Sequence, residues 1–302
     1  MLANKQRKSV IRPCLQDQIV LCLDDVLMLL FGLLIAYPLL YIIFASFEAG
    51  VSTLTLNIFP KRWSLEGYKA VFEYKWIWVG YRNSIGYTLV GSLIGLAFCV
   101  LAAYPLSQPD LDGRGFLMGI FVFTMYFGGG LIPTYLTMRS YHLLDSVWVL
   151  LLPGAVNVYN MIIMRTYFRT QIPRELKEAS QLDGCGETRY LTQIVLPLSV
   201  PILAVVGLYY AVGIWNSYFD AMIYMSTRSK MPLSVFLRDL LILNNTADMT
   251  AAMDPDALAS LQERQNVMKY SLIVVSSIPM FLLYPFVQKY FVKGIMIGSV
   301  KG

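Results

Sequence analysis

Long apolar runs separated by short polar connections dominate the chain, and six of the runs approach the length of a membrane crossing: about 20–47, 82–106, 115–138, 147–165, 196–225 and 270–291. A bilayer core calls for about 20 consecutive apolar residues in helical form, so each run predicts a transmembrane helix. The pattern is that of an all-α integral membrane protein with six transmembrane helices and both ends on the same side. The domain reading follows: an N-terminal tail at 1–19, a transmembrane domain at 20–292 with its core at about 82–291, and a C-terminal tail at 293–302.

The runs differ in detail. The first follows Lys5, Arg7, Lys8 and Arg12 but is too long for a signal-peptide core and has no small-residue cleavage site, so it is expected to stay as a membrane helix. The second carries Gly86, Gly91, Ser92, Gly95, Ala102 and Ala103, small residues that allow close helix approach. Gly128-Gly129-Gly130 and Pro133 interrupt the third. That glycine run either bends the helix and exposes lining backbone or permits tight packing, and packing is the reading favoured. Trp63, Trp76 and Trp78 suit a membrane–water boundary in the segment 48–81. The segment 226–269, with Asn244, Asn245, Asp248, Asp254, Pro255 and Asp256, reads as a solvated loop with short helical pieces.

One polar interruption has a pattern of its own. In residues 172–197, Pro173 suits a first helical turn and Glu175 and Glu178 lie towards the positive end of that helix. Leu176, Ala179 and Leu182 form one apolar stripe, and Asp183-Gly184 breaks the helix. A second short helix follows, with Tyr190, Leu191, Ile194 and Val195 on one face, up to Pro197. Two small amphipathic helices meeting at a turn are predicted.

Composition narrows the function. At 57% hydrophobic and 14% charged residues, the chain belongs with membrane proteins rather than water-soluble domains. The net charge of +5 comes from scattered Lys and Arg, so no nucleic-acid surface is indicated. Cys14, Cys22, Cys99 and Cys185 have no paired spacing, and His142 is the only histidine. No disulfide framework, metal site or Ser-His-Asp arrangement is expected. Thirteen of the twenty-four Lys and Arg fall on the N-terminal tail, the second loop, the 165–195 loop and the C-terminal end, which places both termini in the cytoplasm.

Glu178-Ala179-Ser180, Asp183-Gly184, Ile194 and Leu196-Pro197 resemble, at the proper spacing, the EAA loop of ABC importer permeases. Ser180 and Cys185 stand where that family usually has Ala, and Leu191 where it often has Phe. Ala102-Ala103-Tyr104-Pro105, Trp215-Asn216-Ser217-Tyr218-Phe219, Val292-Lys293-Gly294 and Lys301-Gly302 extend the likeness to MalG-like sugar-importer permeases. The stretches 126–135 and 231–238 look most like the LplC/YtcP branch, associated with oligosaccharides and polysaccharides.

This resemblance implies a type I ABC importer permease fold in the cytoplasmic (inner) membrane, with cytoplasmic coupling helices in the loop 170–197. It also implies a heterodimeric pore with a homologous second permease, two ATPase subunits, an extracytoplasmic sugar-binding protein and a saccharide substrate. The sequence has no GxxxxGK[ST] phosphate loop, so ATP and Mg are expected in the partner ATPases and none on this chain. The ATPase contact would use Leu176, Ala179 and Leu182 as an apolar stripe beside Ser180, Glu178 as partner of a basic residue, and Asp183 and Gly184 as the turn.

For the sugar path the candidates are polar and aromatic groups at membrane depth: Asn157, Tyr159, Asn160, Asn216, Tyr218 and Asp220. Each could instead make an interhelical hydrogen bond or anchor the interface. Two other functions compete: an ABC importer permease for a non-sugar solute, and a membrane-embedded glycosyl-lipid enzyme. The second would need convergent carboxylates or a metal site at the interface, and no such cluster stands out in the sequence.

Overall fold

A computed structural model describes residues 15–48, 59–60, 62–242, 268–285 and 288. Most of the expected tails, the 1–14 and 293–302 stretches, and the polar cluster from Asn244 to Asp256 lie outside the described residues. The first helix, α1 (Leu15–Ala45), has a mean hydropathy of 2.6 in its most apolar window and is exposed along nearly all its length. Only its end reaches the body. There the Ser46 carbonyl accepts from Ser271 Oγ at 3.0 Å, and Phe47 lies 5.2 Å from the ring of Tyr68 on α2 (Glu66–Glu73).

The centre of the bundle is α3 (Lys75–Ser107), whose 33 residues extend about 50 Å at 1.5 Å per residue. Small residues let its neighbours approach. A Cβ at Gly95 would fall 2.6 Å from the Tyr210 ring, one at Gly91 2.7 Å from Ile214 Cδ1, and one at Gly80 2.9 Å from Leu233 Cα. Gly86, expected in the same role, faces open space. The main core joins the second half of α3 (Cys99, Ala103) to Met161 and Met164 of α7 (Val158–Gln171) and Val206 of α11 (Val200–Asn216).

Two of the predicted runs are bent. Between α4 (Arg114–Tyr126) and α5 (Leu131–Ser140) the axis turns by 111°. The glycines at this corner do not serve packing, contrary to the favoured expectation: a Cβ at Gly128 or Gly130 would meet nothing within 4 Å. Gly130 has φ +83° and ψ 175°, a region open in practice to glycine alone, so the run makes a corner. The second bend, 83°, separates α11 from α9 (Glu187–Tyr190), a π-helical turn at Leu191–Val195 and α10 (Leu196–Leu198). Pro197 and Pro201 flank it and supply no backbone donors.

The fourth run is not one helix. It holds α6 (Trp148–Leu151), a break carrying Pro153 and Gly154, and then α7, because Pro153 cannot continue the hydrogen-bond ladder and Asn157 caps a new start. The fifth run stops at Asn216 and is followed by α12 (Phe219–Tyr224). Nor is the first part of 226–269 a solvated loop. After a 3-10 turn at Arg228–Lys230, α13 (Leu233–Ile242) packs on α3 with Leu233 and Phe236 buried.

With α14 (Met268–Pro285), the described residues hold three uninterrupted helices long and apolar enough to cross a membrane, or five crossings if each bent pair counts as one. Among the described residues the regular structure is helical, apart from an isolated bridge between Glu48 and Trp63.

Candidate functional site

The loop singled out by its pattern forms a compact hairpin. Helix α8 (Arg174–Leu182) starts after Pro173, whose φ of −61° suits a helix entrance. Its end is closed by backbone hydrogen bonds: Gly184 N–H donates to Gln181 O at 3.0 Å and Cys185 N–H to Ser180 O at 2.9 Å. Gly184 has φ +70°, so the paired bonds form a Schellman ending that favours glycine there. The Asp183 amide bonds the Ala179 carbonyl at 3.1 Å, while its carboxylate is exposed.

The two sides of α8 differ. Ser180 is buried, its hydroxyl on Lys177 O at 2.7 Å, and the Lys177 side chain is mostly covered. Leu182 is 90% exposed, and Leu176, Glu178 and Ala179 are exposed as well. The predicted apolar stripe therefore faces away from the rest of the chain, and Ser180 faces inward, away from that stripe.

A polar knot attaches the hairpin to the end of α3. Lys177 Nζ lies 2.8 Å from Gln108 Oε1 and 3.1 Å from Glu187 Oε1. The Tyr104 hydroxyl donates to the other Glu187 oxygen. That bond, with Lys177 beside it, holds the Glu187 carboxyl below its ordinary value. Arg165 Nε donates to Leu106 O at 2.8 Å and Arg114 Nη1 to Gln108 O at 3.2 Å, so cations satisfy carbonyls at the end of α3. A cleft of about 250 Å³ remains between α8 and this end, lined by Tyr104, Gln108, Phe168 and Lys177.

The polar candidates of the membrane-depth runs are sorted by the fold. Asn157, Asn160 and Asp220 line one chamber of about 280 Å³, together with Tyr87, Tyr209, Tyr210 and Tyr224. Asn157 also caps α7, its Oδ1 accepting from the Asn160 amide at 3.0 Å and its own N–H donating to Tyr210 Oη at 3.1 Å. Asp220 sits beyond the end of α11, 3.4 Å from Ser217 Oγ. Asn216 lines a different cleft of about 590 Å³, mainly apolar, between α11, α13 and α14. Tyr159 is exposed apart from both, and Tyr218 lies under the Arg238 guanidinium at 5.8 Å.

A second polar knot was absent from the sequence reading. Asp145 Oδ1 accepts the Ser226 and Thr227 amides at 3.1 and 2.9 Å, and Oδ2 accepts Thr227 Oγ1 at 2.6 Å and Lys230 Nζ at 3.0 Å. The Thr227 bonds, with Lys230 and Ser226, hold the Asp145 carboxyl well below the usual carboxylate range. Asn83 Nδ2 donates to Ser229 O at 2.8 Å and Tyr87 Oη to Lys230 O at 2.7 Å, which fixes this turn to α3. Arg228 completes it, 4.9 Å over the Trp76 ring. The partners stand more than 80 positions from Asp145, so no local motif marks them. His142, by contrast, simply closes α5 in a left-handed conformation, φ 55°. Among the described residues no cluster of His, Cys, Asp and Glu could hold a metal ion, and Cys22, Cys99 and Cys185 are free thiols.

No protein-family model matches the chain. It is 42% identical over 273 residues to Protein LplC of Bacillus subtilis, covering 90% of this chain and 91% of that one. It is 39% identical over 277 residues to the polygalacturonan/rhamnogalacturonan transport system permease protein YtcP of the same organism, covering 91% and 96%. Among solved structures, a bacterial ABC transporter involved in the import of the acidic polysaccharide alginate matches with a TM-score of 0.81 and 33% identity, over 92% of this chain and 99% of that one.

Proposed function

The chain belongs to the sugar ABC transporter permeases, as its 42% and 39% identity to two of them over nine-tenths of its length requires, and from that premise we propose how its parts work. It is a transport subunit that imports an oligosaccharide or polysaccharide. In our reading it crosses the cytoplasmic membrane six times with both termini inside and forms half of the pore beside a homologous permease. Two partner ATPases bind ATP and Mg and hydrolyse the nucleotide, and an extracytoplasmic binding protein delivers the sugar.

The observation that carries the mechanism is the contrast between the faces of α8. Its inner face is tied to α3 through Lys177, Gln108, Glu187 and Tyr104, while Leu176, Ala179 and Leu182 are left bare. A rigid hairpin with an uncovered apolar stripe suits a mechanical contact: closure of the ATPases pushes α8, and the knot passes the displacement to α3. Glu178 lies exposed near the stripe, placed to meet a basic residue of the ATPase. The sugar path in this half runs through the chamber of Asn157, Asn160 and Asp220, where hydroxyl partners and tyrosine rings converge.

The test is purification of the whole importer carrying Leu182→Asp or Glu178→Arg. Both positions are exposed, so membrane insertion should persist while ATPase co-purification falls by about tenfold, the effect of losing roughly 1.4 kcal/mol of contact. Unchanged co-purification and unchanged sugar-stimulated ATP hydrolysis in both variants would overturn the coupling role of α8.

A further inference from the structure

Resting on the reading of the chain as a sugar importer subunit, we infer that its chamber receives one uncharged pyranose unit and disfavours a uronate, with Asp220 as the discriminating residue.

Charge sets the preference. Among the described residues lining the chamber, Asp220 is the only Asp, Glu, Lys, Arg or His. The nearby basic groups on the same turn are engaged elsewhere: Lys230 Nζ is 2.6 Å from Asp145 O and 3.0 Å from Asp145 Oδ2, and Arg228 lies over Trp76. A sugar carboxylate entering from this side meets a like charge and no cation among this chain's described lining residues.

Hydrogen bonding points the same way. Tyr87 and Tyr210 already donate their hydroxyls to Lys230 O and Ala155 O at 2.7 and 3.0 Å. Asn157 Oδ1 is taken by the Asn160 amide, and the exposed Asn157 lines the chamber. The strongest acceptor left is the Asp220 carboxylate. A neutral hexopyranose offers it an O–H donor at C6 where a uronate carries a carboxylate with none to give, the ring hydroxyls being common to both. The exposed Tyr209 ring supplies apolar area for the ring face of a sugar. At about 280 Å³ the chamber lies at the small end of ligand cavities, which suits one ring rather than a chain. This departs from the acidic polymers named for two of the similar proteins.

The experiment is equilibrium binding of radiolabelled disaccharides to the assembled permease–ATPase complex in nanodiscs, without the binding protein, which has a selectivity of its own. The probes are galactobiose, xylobiose and maltose against digalacturonate. In the wild-type complex at least one neutral disaccharide should bind about tenfold or more tightly than digalacturonate, as one like charge at close range would produce. Asp220→Asn, equal in size, should bring the two within about threefold of each other, and Asp220→Lys should invert the preference. Preference for digalacturonate in the wild type, a ratio unmoved by Asp220→Asn, or no neutral disaccharide binding at all would each overturn the inference. Sugar-dependent ATP hydrolysis with the binding protein present, measured on the same preparation, judges the importer reading separately.

Discussion

Asp145 accepts four donors from a segment more than 80 residues later in the chain, and its own amide bonds Tyr224 O at 2.8 Å. Replacing it by Ala strands the Ser226 and Thr227 amides and leaves the Lys230 ammonium with only the carbonyl of residue 145. With hydrogen bonds to a charged group worth about 1.5–3 kcal/mol, part of it screened at this half-exposed site, Asp145→Ala should cost about 2 kcal/mol. Thermal unfolding of the purified protein in detergent would read this as a loss of several degrees. The pH dependence follows from the direction of the shift. A carboxyl whose folded value is depressed stabilises fully above the ordinary Asp value of about 4 and loses that contribution as pH falls below it. The wild type should therefore lose melting temperature below about pH 4 more steeply than Asp145→Asn, which has no charge to lose there. Parallel melting curves for the two would contradict this account.

At the scale of elements, local chemistry explains some features and packing the rest. The Pro173 entrance and the Gly184 ending of α8 are read directly from the chain, because the fixed φ of proline and the left-handed freedom of glycine act on the residue itself. The corner at Gly130 was visible as an interruption, but its cause was not, since a glycine needed for packing and one needed for φ look alike in sequence. Gly130→Ala distinguishes them. With open space around the Cβ but φ +83°, it should cost roughly 1–3 kcal/mol through backbone strain alone, measured as a lower melting temperature. A variant as stable as the wild type would return the glycine run to the packing explanation. The fourth run shows the opposite limit: composition satisfied the length of a span while Pro153, Gly154 and the Asn157 cap divided it.

Across the whole molecule, α3 connects two polar knots. Asn83 and Tyr87 near its beginning hold the 228–230 turn, and Tyr104 with Gln108 near its end hold the α8 hairpin. Between them Gly95 receives Tyr210, which in turn fixes the start of α7 beside the chamber through Asn157 and Ala155. Gly95→Leu should therefore disturb the chamber from outside it. Overpacking of about 1–3 kcal/mol is expected, and sugar-stimulated ATP hydrolysis should fall more than the basal rate, because Tyr210 can yield only by releasing the cap of α7. Equal loss of both rates would point to general misfolding instead.

The sequence by itself determined the class of protein, its long apolar segments and the hairpin that begins at α8 with its apolar stripe. Those features rest on periodicity over a few residues, on the length a bilayer requires and on the conformational limits of proline and glycine, all of which act within one segment. Only the tertiary structure decided that Asn157, Asn160 and Asp220 share a chamber while Tyr159, Asn216 and Tyr218 do not, that Ser180 faces inward, and that Asp145 clamps a distant turn. These are meetings of residues tens of positions apart, set by how α7, α11 and α12 pack around the glycine face of α3, and no window along the chain contains both sides of such a contact.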